Sequence, residues 1–291
     1  MIKECFLLWS GVRLALSRPV MLLMLCILAW TPPASASEEG YKMGVFPYFS
    51  PTRLEEMYAP VAAELSSAIG KPVRFRTAPS FAGFFENLRE GSYDIALLHP
   101  FYYIPAADEF SYLPLVRVEE RFRAVLVSLD TSKVREMDDL RGRIIASPPA
   151  HGSAVHMIRQ TIRDRGLHPD QDMSFREFSS VSACLQQVMI GEADACVSGP
   201  LAARSFEQRN NIRLHTIMES ISLPSLVIVV HPRVLGVDRE HMREILAELN
   251  TTEQGREILE RINIGAFVLA EDRDYDEVRR FVSTLEEPWL P

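Results

Sequence analysis

The sequence predicts an α/β protein of two lobes, each a mixed, mostly parallel sheet flanked by helices, with a cleft between the lobes. Three observations support this fold class. Short apolar strands alternate with amphipathic helices, which is typical of parallel sheets covered on both faces. The alternation comes in two successive series, residues 41–120 and 121–224. The length of 291 residues also fits one large domain or two of ordinary size.

The first 36 residues have the pattern of a secretory signal peptide. Three basic residues, Lys3, Arg13 and Arg18, precede the apolar run Val20–Trp30, and the small residues Ala34-Ser35-Ala36 follow it. Positive, apolar and small-residue segments in this order are typical of a cleaved signal, and the 11 apolar residues are too few to span a bilayer. We therefore expect export and cleavage after Ala36.

The charge of the remaining chain excludes one class of partner. Without the signal, 255 residues carry a net charge of −10, since the signal holds three of the 31 basic and one of the 39 acidic residues. A nucleic-acid binder needs a basic surface to neutralise phosphates, so we expect no nucleic-acid partner. A small anion held in a local pocket is not excluded by net charge.

The cysteines and histidines do not form a metal motif. The chain has neither CxxC nor HExxH, so we expect no metal and no cofactor. After removal of the signal, Cys184 and Cys196 remain. In an oxidising compartment they either form one disulfide or stay as two buried thiols.

The first series predicts three strands and two helices. The strands are Met43–Phe46, Val73–Thr77 and Asp94–Leu98, and the helices are Thr52–Ile69 and Ser80–Glu90. A glycine after each helix is the usual signal for its end.

The second series and the tail continue this pattern. The predicted strands are Arg123–Ser128, Arg143–Ala146, Met173–Phe178, Ala193–Val197, Ile212–Ile217 and Ser225–Val230. The predicted helices are Ser153–Arg165, Ser182–Ile190, Leu201–Gln208 and, without further strands, Arg239–Leu249, Thr252–Ile262 and Tyr275–Leu285. We place the two crossings between lobes at the first and last of these strands. Lobe one is then 41–120 plus 225–291, and lobe two is 121–224.

Ligands of open α/β sheets bind beyond the carboxyl ends of the strands, which here would face each other across the cleft. The candidate ligand-binding residues at those ends are Tyr48, His99, Tyr102, His151, Gly152, Ser153, Ala154, Ser182 and Ser198. The small residues before Ser153 would present free backbone N–H groups at the positive end of a helix, which favours an anion. The alternative is an ordinary N-cap, which is the commoner role of small polar residues before a helix. His99 either bonds to a neighbour or points into the cleft, and the tyrosines either pack or bind.

An enzyme is the alternative from another class. Ser153 with His99 or His151 resembles part of a catalytic triad, but no serine lies in a G-x-S-x-G elbow. We therefore expect no catalytic residues.

Several segments in order resemble the periplasmic phosphate/phosphite/phosphonate-binding proteins of ABC importers. These segments are Gly44-Val-Phe-Pro47, Ala59-Pro60-Val61, Gly70-Lys-Pro-Val, Asp94-Ile-Ala, Gly191-Glu-Ala-Asp-Ala195 and Thr252–Leu259. The resemblance covers essentially all of 41–265 and implies the type II periplasmic binding-protein fold, which closes on its ligand.

The resemblance also implies an anion loop, which departs from the family pattern here. The family's Ser-Thr-Ser-Gly corresponds to His151, Gly152, Ser153 and Ala154, so only the second serine is kept. A family histidine corresponds to Val181. We expect His99 and His151 to supply the missing donors, with affinity rising as pH falls through about 6.5.

These inferences together predict an exported, monomeric protein of the periplasm. It would capture a small oxyanionic solute and deliver it to an ABC permease. The alternatives are a ligand-sensing subunit whose partner is a membrane sensor kinase, and a secreted hydrolase or metal-dependent enzyme.

Overall fold

The structure is a computed structural model that describes residues 40–149, 152–286 and 288–290. The predicted signal peptide and His151 lie outside the described residues. The strands are β1 Tyr41–Val45, β2 Val73–Arg76, β3 Ile95–Leu98, β4 Leu113–Val118, β5 Val125–Leu129, β6 Ile144–Ser147, β7 Ser174–Glu177, β8 Ala195–Ser198, β9 Leu214–Glu219, β10 Val227–Val230 and β11 Phe267–Leu269.

The helices alternate with these strands. They are α1 Pro51–Ile69, α2 Phe81–Arg89, α3 Pro100–Asp108, α4 Ser153–Asp164, α5 Val181–Ile190, α6 Pro200–Asn210, α7 Gly236–Ala247, α8 Glu253–Arg261 and α9 Asp276–Val282. Short 3-10 helices lie at Met137–Leu140, Leu249–Thr251 and Asp272–Tyr275. No helix of the described ranges combines the length and apolar character needed to cross a membrane.

The strands form two sheets, as predicted. The first has the order β11-β4-β10-β3-β1-β2, and the second has the order β7-β6-β8-β5-β9. In the first sheet β1 is parallel to β2 and β3, whereas β10 runs antiparallel to β3 and β4. In the second sheet β6 is parallel to β7 and β8, whereas β5 runs antiparallel to β8 and β9. The two-lobed α/β class with mixed sheets flanked by helices is confirmed.

The chain passes between the sheets through residues 119–124 and 220–226. These segments pair with each other: Phe122 and Leu223 donate backbone N–H groups to each other's carbonyl oxygens, at 2.8 and 2.9 Å. The Ala124 N–H also donates to Ser220 Oγ at 2.9 Å. The sequence placed the crossings at Arg123–Ser128 and Ser225–Val230. Most of both ranges lies in sheet strands, β5 from Val125 and β10 from Val227, and the paired segments precede these strands.

The sequence analysis did not predict three elements: α3, β4 and β11. Helix α3 is buried along nearly its whole length and contains Pro105, so it lacks the amphipathic period that identified the other helices. Strand β4 contains Pro114, and β11 has only three residues. Because β11 joins the first sheet, the expectation that the tail adds no strand was also wrong.

Three links fix the positions of α5 and α3. Cys184 of α5 and Cys196 of β8 form a disulfide with a Cα–Cα distance of 5.8 Å. In the other lobe, Tyr103 of α3 donates its hydroxyl hydrogen to Asp272 at 2.7 Å. Arg279 of α9 pairs with Asp108 at the end of α3, at 2.6 Å. The C-terminal elements thus fix the position of α3.

Candidate functional site

Three helices of the described ranges begin with neither a capping side chain nor an acidic residue in the first turn. The N-cap residues of α3, α4 and α6 are His99, Gly152 and Gly199, and none makes a side-chain capping bond. The first turn of each also lacks an acidic residue. The N–H groups of a first turn have no acceptor within the helix, and no side chain caps these three starts, so they carry partial positive charge and can donate to a ligand.

The other six helices of the described ranges differ. Hydroxyls cap four of them, α1, α2, α5 and α8, from Ser50, Ser80, Ser180 and Thr252. The remaining two, α7 and α9, carry acidic residues in their first turns. We call the uncapped starts of α3, α4 and α6 the bare helix starts.

The bare helix starts follow parallel strands directly. Helix α3 continues from β3, α4 from β6 and α6 from β8. Strands β6 and β8 are neighbours in the second sheet, so the starts of α4 and α6 lie at the same sheet edge. Phe101 of α3 and His156 of α4 bring the two lobes together, with ring centroids 6.0 Å apart. The positive ends of helices from both lobes therefore approach one region.

His99 and Tyr102 place unsatisfied polar atoms in this region. His99 is 4% exposed and Tyr102 is fully buried, with ring centroids 3.9 Å apart. Among the described residues, neither ring nitrogen of His99 nor the Tyr102 hydroxyl has a hydrogen-bond partner. Most buried polar groups in native proteins are hydrogen-bonded, so these three atoms mark a position for a polar ligand or for water.

His99 is neutral at physiological pH. Burial, and next the nearby His156, lower the pKa of His99 from 6.5 to about 3. A neutral imidazole donates one hydrogen bond and accepts another, but it does not attract an anion as imidazolium does. The expected rise in affinity as His99 charges near pH 6.5 is therefore wrong for this residue.

Aromatic rings line the lobe-one side of His99. Phe46 meets the imidazole edge-on at 5.5 Å and stacks on Tyr48 at 4.7 Å. Phe81 lies 6.2 Å from Phe46 and 6.4 Å from Tyr102. We call Phe46, Tyr48, Phe81 and Tyr102 the aromatic wall. The Tyr48 hydroxyl shares a 2.8 Å hydrogen bond with Tyr58, and burial raises the pKa of Tyr48.

The candidate residues of lobe two surround the starts of α4, α5 and α6. Ser153, the first residue of α4, is buried, whereas Gly152 and Ala154 are half-buried. Ser198 ends β8, is buried, and donates its hydroxyl hydrogen to the Gly199 carbonyl at 3.1 Å. Ser182 is exposed in the first turn of α5. The role of each candidate in ligand binding stays a prediction.

Sequence reasoning missed three residues of this region. His156 was interpreted as an ordinary helix residue, yet it is buried in the contact between lobes. Phe46 and Phe81 were assigned only to a strand and a helix. Their sequence signal is their position, since Phe46 directly follows β1 and Phe81 begins α2, at the sheet edge where α3 also begins.

No cluster of three or more histidine, cysteine, aspartate or glutamate side chains suited to a metal occurs among the residues that the structure describes. The chemistry available at this site is hydrogen-bond donation from backbone amides and neutral side chains. Such a site can hold an anion without a metal.

Comparison with known proteins agrees with this geometry. Residues 43–275 match a family model described as the periplasmic substrate-binding protein of phosphonate ABC transporters. A binding-protein component of a phosphonate ABC transporter from Pseudomonas aeruginosa superimposes with a TM-score of 0.73, at 14% identity over 83% of this chain and 85% of its own.

Two further solved structures share the fold. PhnD1 from Prochlorococcus marinus, in complex with methylphosphonate, gives a TM-score of 0.75 at 13% identity, over 86% of this chain and 100% of its own. A protein from Xanthomonas citri bound to ATP gives 0.66 at 14% identity, over 84% and 99%.

Proposed function

The chain belongs to the family of periplasmic substrate-binding proteins of phosphonate ABC transporters, and on that premise we propose that it captures a phosphate-, phosphite- or phosphonate-like oxyanion for an ABC importer. Proteins of this family serve solute transport. We propose that the chain likewise binds its solute without transforming it.

The convergence of the bare helix starts is the observation that carries this proposal. Each helix start contributes roughly half a positive charge together with free N–H donors. Three of them, from α3, α4 and α6, supply a site for one or two negative charges without lysine or arginine. Gly152 and Gly199 have no side chain to occupy this space, so an oxyanion can approach the backbone.

His99 and Tyr102 complete the donor set from lobe one. A neutral histidine donates through one ring nitrogen, and the tyrosine donates through its hydroxyl. An oxyanion that accepted both bonds would satisfy atoms that have no partner in the described structure. The Ser153 hydroxyl adds a donor from lobe two, with His151, Ser182 and Ser198 at the rim.

Closure of the two lobes would couple binding to transport. The paired segments at Phe122 and Leu223 form a narrow connection between the sheets, which suits a hinge. We place lobe one at 41–120 plus 225–291 and lobe two at 121–224. The chain would be exported with cleavage after Ala36 and would meet its ABC permease in the periplasm as a monomer.

Calorimetric titration of residues 37–291 tests the proposal. The ligands are phosphate, phosphite, methylphosphonate and sulfate, with glycerol as the uncharged control. Saturable binding of at least one phosphorus oxyanion, and none of glycerol, is the expected result. If no phosphorus oxyanion binds at millimolar concentration, the proposed function is wrong.

A further inference from the structure

Resting on the proposed function, we further propose that the cleft is specific for an oxyanion attached to an uncharged apolar group, such as an alkyl- or arylphosphonate. Aminoalkylphosphonates, which carry an ammonium group, would be rejected. The proposal comes from the charge and the shape of the surroundings of the bare helix starts.

The first step concerns charge at the strand ends. Six strand-to-helix connections follow β1, β2, β3, β6, β7 and β8, and they contain no lysine, arginine, aspartate or glutamate. These connections are residues 46–50, 77–80, 99, 148–152, 178–180 and 199. The first turns of α2 to α6 are equally free of such residues. Arg53 in α1 is the exception, and it pairs with Glu56 on an exposed face.

The second step is the consequence for an ammonium group. A charged group taken out of water needs a partner of opposite charge, or its desolvation is not compensated. No carboxylate is available in those connections, and Glu177, which ends β7 at the same edge, is exposed and already has a partner. His99 in its neutral form supplies no negative charge. An ammonium on the ligand would therefore weaken binding.

The third step is the aromatic wall, which offers a surface to an apolar group. Phe81 is only half-buried, and Tyr48 is half-buried beside the exposed ring of Phe49, 4.7 Å away. The rings thus continue from buried His99 outward to the surface of lobe one. A flat or extended apolar substituent would lie against them while its oxyanion meets the helix starts, because aromatic faces favour such contacts.

Cation–π binding of an ammonium in an aromatic cage is the opposite possibility. A cage would need ring faces that are free to surround the ammonium. In the aromatic wall the imidazole of His99 already contacts Phe46 and Tyr102, with ring centroids 5.5 and 3.9 Å away. No tryptophan takes part in it. We therefore propose that the aromatic wall contacts an uncharged substituent of the ligand. The titrations below compare it with a cationic substituent.

Four phosphonates with the same head group test this specificity by calorimetric titration of the unmodified mature chain. They are methyl-, propyl-, phenyl- and 2-aminoethylphosphonate; propyl and 2-aminoethyl are matched in size and differ in charge. We expect phenylphosphonate to bind at least about tenfold tighter than methylphosphonate, from the apolar area it buries. Propylphosphonate should bind at least about tenfold tighter than 2-aminoethylphosphonate.

The outcomes separate the two proposals. Equal affinity for methyl and phenyl, or tighter binding of 2-aminoethyl than of propyl, would overturn this inference and leave the proposed function standing. No binding of any of the four, nor of inorganic oxyanions, would overturn the proposed function itself.

Two variants test whether the aromatic wall causes the difference in affinity between phenyl- and methylphosphonate. Phe81→Leu should reduce the phenyl-to-methyl affinity ratio about threefold or more. Phe110→Leu is the matched control, because Phe110 lies beyond the opposite end of α3 and is also half-buried. It should leave the ratio unchanged. An unchanged ratio in Phe81→Leu would contradict the role of the wall.

Discussion

Helices α4 and α5 occupy equivalent positions in the second sheet, yet their first turns are stabilised in different ways. Both follow strands that run parallel to each other, β6 and β7. At the start of α5, Ser180 Oγ accepts the Ala183 N–H at 3.1 Å, and the disulfide fastens the same helix to β8. At the start of α4, Gly152 offers no side chain. The chain itself caps one helix start and leaves the other uncapped.

The first lobe repeats this contrast in α2 and α3. Ser80 caps α2 by accepting the Gly83 N–H at 3.1 Å. His99 holds the same position before α3 and makes no capping bond, although it is polar and buried. In both lobes, then, one helix start is capped and one is bare, and we propose that the bare starts donate to the ligand. Four predictions test this division.

The largest effect is expected when a bare helix start receives its own anion. Gly199→Asp would place a carboxylate at the start of α6, where a Cβ would meet nothing closer than 3.7 Å. We expect ligand affinity to fall about 100-fold, since like charges a few ångströms apart repel by roughly 3 kcal/mol at an effective dielectric of about 20. Calorimetric titration measures the loss.

Gly199→Asn is the matched control, because it adds a similar side chain without charge. Its affinity should fall much less than that of Gly199→Asp. Equal losses in the two variants would show that side-chain volume, and not charge at the helix start, governs binding.

The next largest effect concerns α5, the helix that the disulfide joins to β8. The double variant Cys184→Ala, Cys196→Ala should lower the free energy of unfolding by about 3 kcal/mol, because the disulfide closes a short loop in the unfolded chain. Urea denaturation measures this change. Ligand affinity should stay within about twofold of the unmodified protein, since the disulfide lies on the capped helix α5. A tenfold loss of affinity would contradict the proposed separation between capped and bare helices.

His99 predicts a pH dependence of stability. Its pKa is about 3 in the folded protein and 6.5 in the unfolded chain, so the unfolded chain binds more protons between these values. Stability should therefore be lost as pH falls from about 6.5 toward 3, with a contribution of at most about 1.4 kcal/mol per pH unit. Urea midpoints from pH 7 to pH 4 measure the slope.

The variant His99→Leu isolates this contribution. It should reduce the slope and raise the stability of the ligand-free protein at pH 7 by about 1 to 2 kcal/mol, since it removes unsatisfied buried nitrogens. His231→Leu is the matched control: His231 Nδ1 accepts the Arg233 N–H at 3.3 Å, so that variant should lose stability. Loss of stability in both variants would indicate that His99 is satisfied in the folded state.

The smallest effect is expected at a capped helix. Ser180→Ala removes the cap of α5 and should lower the free energy of unfolding by about 1 kcal/mol. Thermal and urea denaturation both report it. Ligand affinity should not change, because Ser180 caps the helix and is not among the candidate binding residues, unlike Ser182 in the same turn; a clear loss of affinity would contradict this separation of capping from binding.

The sequence predicts most strands, most helices and the fold class, because each of the predicted elements has its own periodicity. It does not predict α3, whose residues are apolar on nearly every side. That omission put His99 in a loop, although His99 is the N-cap of a buried helix. Its neutral state depends on burial and on His156 from the other lobe, and no local pattern contains either.

The division between capped and bare helix starts is only partly visible in the sequence. Gly152 and Gly199 lack capping side chains by composition alone. Ser50, Ser80 and Ser180 precede helices, but so does Ser198, whose hydroxyl bonds to the Gly199 carbonyl instead of to the helix. Which serine caps a helix depends on backbone geometry, so the structure was needed to identify it.

The most direct test of the central claim follows backbone amide signals by NMR while methylphosphonate is added. The informative amides of the bare helix starts are those of Tyr102, Ala154 and Ala202, and the reference amides, which donate to caps, are those of Gly83, Ala183 and Gly255. We predict downfield proton shifts in the first set, as N–H groups bond to the oxyanion, and little change in the second. Shifts confined to the capped set, or to neither set during saturable binding, would contradict the account.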